Sequence, residues 1–305
     1  MPCYRPIDGY YAAKKNPNGK RSIVFDVRKA LSPAVLKLPC GKCPGCLLER
    51  SRQWAVRCMH ESKMHPYSSF VTLTYRDDRI PPGGSLRKRD LQLFMKRLRK
   101  KYGKVRFYAC GEYGTGTKRP HYHLLLFGLR FDDLQRIGTA KGGEPLYCSD
   151  KLAEVWPDGY NFIGQVTFES CQYVAKYILK KVDNATKTPD YLTVMTAYGE
   201  VIVREPEFTV MSRRPGIGMD WFDQYHSEVY AYDSVISNGH EAKPPRFYDV
   251  KYELLDFEAM EVVRRNRRRK ALMPNRRADN TKARLRVREA VELRKLATFG
   301  KRQFL

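Results

Sequence analysis

No run of about eighteen consecutive apolar residues occurs anywhere in the chain, so no membrane-spanning helix is expected. The segment from Met1 to Lys20 is polar, rich in Tyr, Lys and Asn, and lacks the apolar stretch of a secretory signal. A reducing cytoplasm is therefore the expected compartment. In that setting the eight cysteines read as thiols or metal ligands rather than disulfides. The phosphate-loop spacing G-x-x-x-x-G-K-[ST] is missing, even from the glycine-rich segment GEYGTGTK, which reads as a plain turn. No other ATPase motif is present, and there is no internal repeat or low-complexity segment. Acidic residues are scarce: 33 Asp and Glu stand against 57 Lys and Arg, a formal net charge of +24. Self-repulsion on that scale calls for a polyanionic partner. Nucleic acid is the expected one, and an acidic membrane surface is the lesser alternative.

The chain does have the means to fold. Hydrophobic residues make up 42% of its 305 residues, enough for one large domain or two modest ones. Three regions separate by pattern: residues 1–66 with a cysteine cluster and one amphipathic helix, residues 67–215 with alternating strands and helices, and a basic region over 216–305. In the middle region SFVTLTY (69–75) alternates as a strand does. PPGGS breaks the pattern, and Leu86 to Tyr102 follows as a helix with Leu91, Phe94, Met95 and Leu98 on one face and Gly103 as its stop. Val105 to Cys110 reads as a strand, Gly111, Gly114 and Gly116 as a turn, and HYHLLLF (121–127) as the returning strand. Tyr160 to Phe168 is a further strand, Ser170 caps a helix running to about Val182, and Glu207 to Met211 adds a fifth strand. The order implies an α+β fold, an antiparallel sheet with helices on one face.

His121 and His123 flank Tyr122 on a strand, so both imidazoles point to one face and can grip one divalent ion. Their plainer reading is a pair of surface histidines beside Arg119 and Pro120. Glu112 ends the preceding strand, and the glycine-rich hairpin returns it beside His121. A mixed oxygen and nitrogen set with open positions suits Mg²⁺ or Mn²⁺ acting on a phosphate. Downstream, Tyr173 and Tyr177 share one helix face, with Lys176 on the flank. A phenol with a pKa near 10 is a poor nucleophile unaided, and a metal and an ammonium would both help it. Two tyrosines four apart also commonly just pack on a core.

Cys40, Cys43 and Cys46 have the spacing C-x2-C-x2-C, with Gly41 and Gly45 for tight turns. Three thiolates this close suit a structural Zn²⁺ that needs a fourth ligand, either Cys3 or Cys58. An iron-sulfur cluster and metal-free thiols are the alternatives. Cys110, Cys148 and Cys171 read as packing residues. RRNRRRK (264–270), KARLRVRE (282–289) and KRLRKK (96–101) are dense cationic tracts. Contacts from such tracts to phosphates give affinity without sequence choice and with steep salt dependence.

The segments FVTLTY, GEYG…RPHYHLLLFG and YVAKYILKK resemble the three ordered motifs of HUH endonucleases. Over roughly residues 1–220, MPCYRP, CGKCPGC, ERSRQWAVRC, LQLFMKRLRK and MSRRPGIG further resemble the replication initiators of gokushovirus-type (Microviridae) single-stranded DNA phages. The resemblance implies an HUH domain with a ferredoxin-like or RRM-like core, acting in the cytoplasm of a bacterial host. It implies rolling-circle initiation: a tyrosine attacks single-stranded DNA at an origin hairpin and keeps the 5′ end, and the freed 3′ hydroxyl primes synthesis. A second tyrosine then cuts the regenerated origin, and the released hydroxyl closes the circle without ATP. By the same resemblance His121 and His123 bind the metal, Tyr173 and Tyr177 are nucleophiles and Lys176 is an electrostatic helper. Glu112 as third ligand rests on the hairpin and agrees with the family pattern. A host helicase and polymerase are the expected partners. The competing readings are a transposase or relaxase of the same superfamily, a metallohydrolase that uses water, and a non-enzymatic zinc-containing nucleic-acid-binding protein.

Overall fold

A computed structural model describes residues 3–17, 19–114, 116–140, 143–180, 189–196 and 199–303; the side chains of 176–180, 189–190 and 299–303 lie outside that description. The chain opens with a small antiparallel sheet in which β1 (Ile7–Lys15) lies between β2 (Arg21–Val24) and β3 (Leu36–Leu38). Helix α1 (Pro44–Lys63) follows. A larger sheet takes β4 (Ser68–Tyr75), then, after helix α2 (Lys88–Tyr102), β5 (Arg106–Tyr113), β6 (Pro120–Phe127), β7 (Gln135–Thr139) and β8 (Pro145–Cys148). After the short helix α3 (Asp150–Val155) come β9 (Gly159–Gln165) and helix α4 (Phe168–Lys180). Further on are the short helix α5 (Pro189–Leu192), the two-stranded pair β10 (Thr193–Met195) and β11 (Val201–Val203), and β12 (Phe208–Met211). Helices α6 (Met219–Tyr232), α7 (Arg246–Leu255), α8 (Phe257–Ala271), α9 (Pro274–Asp279) and α10 (Lys282–Gln303) complete the chain, with a small hairpin between α6 and α7. Packing divides these elements into two compact units, Met1–Glu49 with Arg267–Leu305, and Arg50–Asn266.

The second unit is built on a seven-stranded sheet in the order β12-β5-β6-β4-β9-β8-β7, every neighbouring pair antiparallel. The fold is α+β, as the alternation of elements implies. Two strands exceed the sequence expectation. The hairpin β7–β8 adds an edge whose first strand, QRIGT, is exposed throughout, so it carries none of the apolar alternation that marks a strand. The helices also differ from expectation, because they cover both faces of the sheet rather than one. Leu91, Phe94, Met95 and Leu98 of α2 pack with Val71, Leu73, Tyr122, Leu124 and Trp156 on one face. Ala55 and Cys58 of α1, with Cys171 and Val174 of α4, pack with Tyr108, Cys110, Leu125 and Phe127 on the other. The unbroken apolar run LLLF in β6 is the sequence trace of this, since a strand buried on both faces does not alternate.

The boundary of α4 also moves. Thr167, rather than Ser170, stands before the first turn. The Ser170 amide donates to the Thr167 hydroxyl (3.2 Å), and the Thr167 amide donates to the Ser170 hydroxyl (2.8 Å). This reciprocal pair satisfies two donors that the helix start would otherwise leave unmade.

The segment RRPGIG owes its form to a buried charge. Glu61 of α1 is fully buried and pairs with Arg106 of β5. The Gly218 amide donates to Glu61 at 2.6 Å. Arg106 donates to the carbonyls of Pro215 (3.1 Å) and Gly216 (3.2 Å), and Arg57 donates to that of Ile217 (3.0 Å). Gly218 sits at φ +78°, and a Cβ there would lie 2.6 Å from the Tyr248 hydroxyl, so only glycine fits. Burial pushes the Glu61 carboxyl up, but hydrogen bonds from His65, Arg106 and the Gly218 amide outweigh it and hold the pKa at about 2, below the ordinary 4.5. A depressed folded pKa stabilises the fold above the unfolded value, and that stability is lost as pH falls toward 2. Glu61→Gln should therefore lower unfolding stability by about 3 kcal/mol or more at neutral pH, because Arg106 stays buried without its counter-charge. In urea titrations the variant's deficit should shrink between about pH 5 and pH 2. An equal deficit at both ends of that range would refute the linkage.

Candidate active site

The site is assembled by strand register. Across the β5–β6 hairpin Glu112 is paired with His121 and Cys110 with His123. Across β6–β4, His123 is paired with Thr72 and His121 with Thr74. Because strand side chains alternate, Glu112, His121, His123 and Thr72 all project from one face of the sheet. That face also carries α4, which is in contact with β5, β6 and β12.

Three groups meet at one atom. Glu112 Oε1 lies 2.8 Å from His121 Nε2 and 2.9 Å from His123 Nε2, and it accepts a hydrogen bond from the Tyr173 hydroxyl at 3.1 Å. Glu112 and His123 are buried, and Tyr173 is 37% exposed. The Tyr173 ring meets that of His123 edge-on, with centroids 5.0 Å apart, and Phe70 stacks on His123 at 5.7 Å. The far nitrogens of both histidines are anchored as well. His121 Nδ1 donates to the Arg119 carbonyl at 3.0 Å, and His123 Nδ1 lies 2.9 Å from the Thr72 hydroxyl. Such partners fix ring orientation and tautomer at metal-binding histidines.

The electrostatics of this arrangement ask for positive charge. A carbonyl can only accept, so His121 Nδ1 carries hydrogen, and its Nε2 then faces an ionised carboxylate. A proton or a metal ion between Nε2 and Oε1 satisfies both atoms, whereas a bare lone pair does not. Burial pushes the Glu112 carboxyl up, but the hydrogen bonds and charges of His121 and His123 outweigh it and hold the pKa at about 2. Burial pushes the Tyr173 phenol up, and the adjacent Glu112 charge and the hydrogen bond to it add to the effect. Without a cation the phenol is therefore held protonated. The ligand atoms of Glu112, His121 and His123 all lie within 4.8 Å of one another, so one ion can reach all three. One carboxylate oxygen and two imidazole nitrogens form a donor set for a hard or borderline divalent ion with positions left for phosphate oxygens.

The sequence-expected residues are thus brought together at Glu112, His121, His123 and Tyr173. Lys176 and Tyr177 follow on α4, whose backbone continues to Lys180, and their side chains lie outside the described residues. Thr72 and the Arg119 carbonyl are members that the sequence reading did not name. Thr72 left a faint signal, since Thr72 and Thr74 alternate with apolar residues in VTLTY, but register alone sets it beside His123. Of the two candidates to join Cys40, Cys43 and Cys46, Cys3 stands with them. Cys58 is buried in the core with Cys171.

No helix among the described residues is long and apolar enough to cross a membrane. No solved structure matches the chain. A family model described as replication-associated protein ORF2/G2P matches residues 68–182, the stretch that holds β4, the β5–β6 hairpin and α4. The chain is 32% identical over 265 residues to replication-associated protein VP4 of Bdellovibrio phage phiMH2K, covering 83% of this chain and 78% of that protein. It is 32% identical over 230 residues to replication-associated protein ORF2 of Spiroplasma virus 4, covering 71% and 68%. With replication-associated protein ORF4 of Chlamydia phage 1 it shares 29% over 226 residues, 69% of this chain and 52% of that protein. Identity of this extent, spanning the strands and helix that build the site, means that the chain belongs to the Microviridae-type phage replication-associated proteins.

Proposed function

We propose that this protein initiates rolling-circle replication by nicking and rejoining single-stranded DNA through Tyr173, with Mg²⁺ or Mn²⁺ held by Glu112, His121 and His123. The observation that carries the reading is the aim of the Tyr173 hydroxyl, 3.1 Å from the carboxylate oxygen on which both imidazoles converge. A nucleophile set at a three-donor cation site is the arrangement that phosphodiester transfer requires. A bound divalent ion would supply positive charge to the scissile phosphate and to the developing phenolate.

The chain's own residues do the rest. Tyr173 Oη attacks phosphorus, the P–O3′ bond breaks, and the 5′ phosphate stays on the phenol. The phenolic proton already points at Glu112 Oε1, and the departing O3′ takes a proton from solvent. Thr72 and the Arg119 carbonyl hold the two imidazoles in place, while Phe70 and His123 wall the phenol. The phosphotyrosine keeps the energy of the broken ester, so rejoining needs only a 3′ hydroxyl. By the family resemblance Tyr177 is the second nucleophile, four residues on along α4, and Lys176 is the electrostatic helper. The DNA is an origin hairpin read as a single strand. The absence of a motor motif makes a host helicase and polymerase the expected partners in the bacterial cytoplasm.

Mixing the protein with labelled single-stranded origin DNA and Mn²⁺ should give a covalent adduct that survives a denaturing gel. Tyr173→Phe and Tyr177→Phe singly should each retain adduct, and the double variant should lose it. Loss with one tyrosine alone would leave a single-nucleophile enzyme. Cleavage without adduct would refute the tyrosine mechanism, and neither product would favour a binding module. Thr72→Val keeps the volume of the side chain and removes the hydroxyl beside His123 Nδ1, so Mn²⁺ affinity should fall about 10–100-fold. Unchanged affinity by calorimetry would remove Thr72 from the site.

A further inference from the structure

We propose that Cys3, Cys40, Cys43 and Cys46 hold one structural Zn²⁺ in the unit formed by both ends of the chain, and that this ion fastens the N-terminus to the basic helix α10. The inference is independent of the nuclease reading. Strand register brings the cysteines together. β1 and β3 are antiparallel with Ile7 opposite Leu38, so the residues before β1 and those after β3 leave the sheet at the same end. Cys3 and Cys40 lie on those two segments. The turn of Gly41, at φ +76°, and the first turn of α1 then add Cys43 and Cys46.

The distances select a single ion. Four sulfurs at about 2.3 Å from a tetrahedral zinc lie about 3.8 Å from one another. The Cys3 and Cys43 sulfurs are 3.9 Å apart and those of Cys40 and Cys46 4.0 Å, while all four lie within 4.8 Å. An iron-sulfur cluster places several atoms between its cysteine sulfurs and would hold them farther apart. The surrounding amides are arranged for anionic sulfur. The Cys40 amide donates to the Cys3 sulfur, the Cys43 amide to the Cys40 sulfur, and the Tyr4 amide to the Cys43 sulfur, each at 3.3 Å. Amide donors of this kind stabilise thiolate ligands. Cys3 and Cys43 are nearly fully buried, where four uncoordinated thiols would form only weak contacts.

The residues after Cys3 give the ion its role. Arg5 Nε donates to Glu289 of α10 at 3.0 Å, and the Arg288 guanidinium lies 6.0 Å from the centre of the Tyr4 ring. Glu289 is 8% exposed and Leu285 5%, so this contact lies beside the buried side of α10, whose exposed positions mix arginines with Val287, Val291 and Leu293. Anchoring Cys3 fixes Tyr4 and Arg5, and through them the position of α10 within its unit.

The test uses the full chain carrying His121→Ala and His123→Ala, which leaves the cysteines as the ligands in question. Metal analysis should find one zinc per chain, and X-ray absorption should find a shell of four sulfurs at about 2.3 Å. Cobalt in place of zinc should give the intense visible bands of a tetrahedral thiolate site. Cys3→Ser should lose the four-sulfur shell, and Cys58→Ser should keep it. Stripping the zinc should speed hydrogen exchange across residues 282–298. No zinc, a shell of three sulfurs in the unsubstituted cluster, or loss of the shell with Cys58→Ser would overturn the site. Unchanged exchange in α10 would overturn its role. Since the unsubstituted cluster is read directly, misfolding of the Cys3 variant would not rescue the proposal, and failure of the nuclease reading would leave it standing.

Discussion

The register between β5 and β6 is the constraint on which the site depends. Glu112 stands opposite His121, and that single pairing puts a carboxylate between two imidazoles two residues apart on the neighbouring strand. A slip of one residue would send Glu112 to the opposite face, among the side chains of α2 and Trp156. The apolar residues on both strands prevent the slip, because it would also exchange the two cores. β4 extends the same logic by presenting Thr72 to His123. The sheet therefore fixes three ligand candidates and one supporting hydroxyl by backbone pairing alone, and α4 has only to lay one tyrosine across them.

Charge explains why these groups tolerate one another. A buried carboxylate is costly unless it is paired, and Glu112 is held ionised by its two histidines. The same negative charge raises the pKa of Tyr173, so the carboxylate that orients the phenol also keeps it protonated. In the reaction proposed above, a cation at this point would reverse the sign of the local field and favour the phenolate. The net charge of +24 acts at longer range and favours association with a polyanion such as DNA.

A second buried charge performs a structural task. Glu61 and Arg106 tie α1 to β5, and the remaining donors of Arg106 collect the carbonyls of Pro215 and Gly216. The chain leaving β12 is thereby folded back over the sheet face that carries α4. The glycines of RRPGIG are there for close approach and for a left-handed turn, and the segment has no catalytic contact among the described residues.

Much of this was legible in the linear sequence. Alternation in FVTLTY and the helical spacing of Leu91, Phe94, Met95 and Leu98 are local patterns, and they determined the central strands, α2 and the α+β class. The spacing of His121 and His123 determined that both share a face, since that follows from the strand period of two. The basic excess determined the class of partner. Other features needed the tertiary structure, for one physical reason: they depend on contacts between residues far apart in the chain. Thr72 supports a histidine 51 positions away, and Tyr173 reaches a carboxylate 61 positions away. Helices cover both sheet faces because α1 and α2 pack on different sides; the run LLLF in β6 hints at burial on both faces but does not say which helix covers which. Cys3 rather than Cys58 joins the cysteine cluster because β1 pairs with β3, and spacing alone had left both open. Local interactions decide which elements form and which way their side chains alternate; only packing decides which of those faces meet.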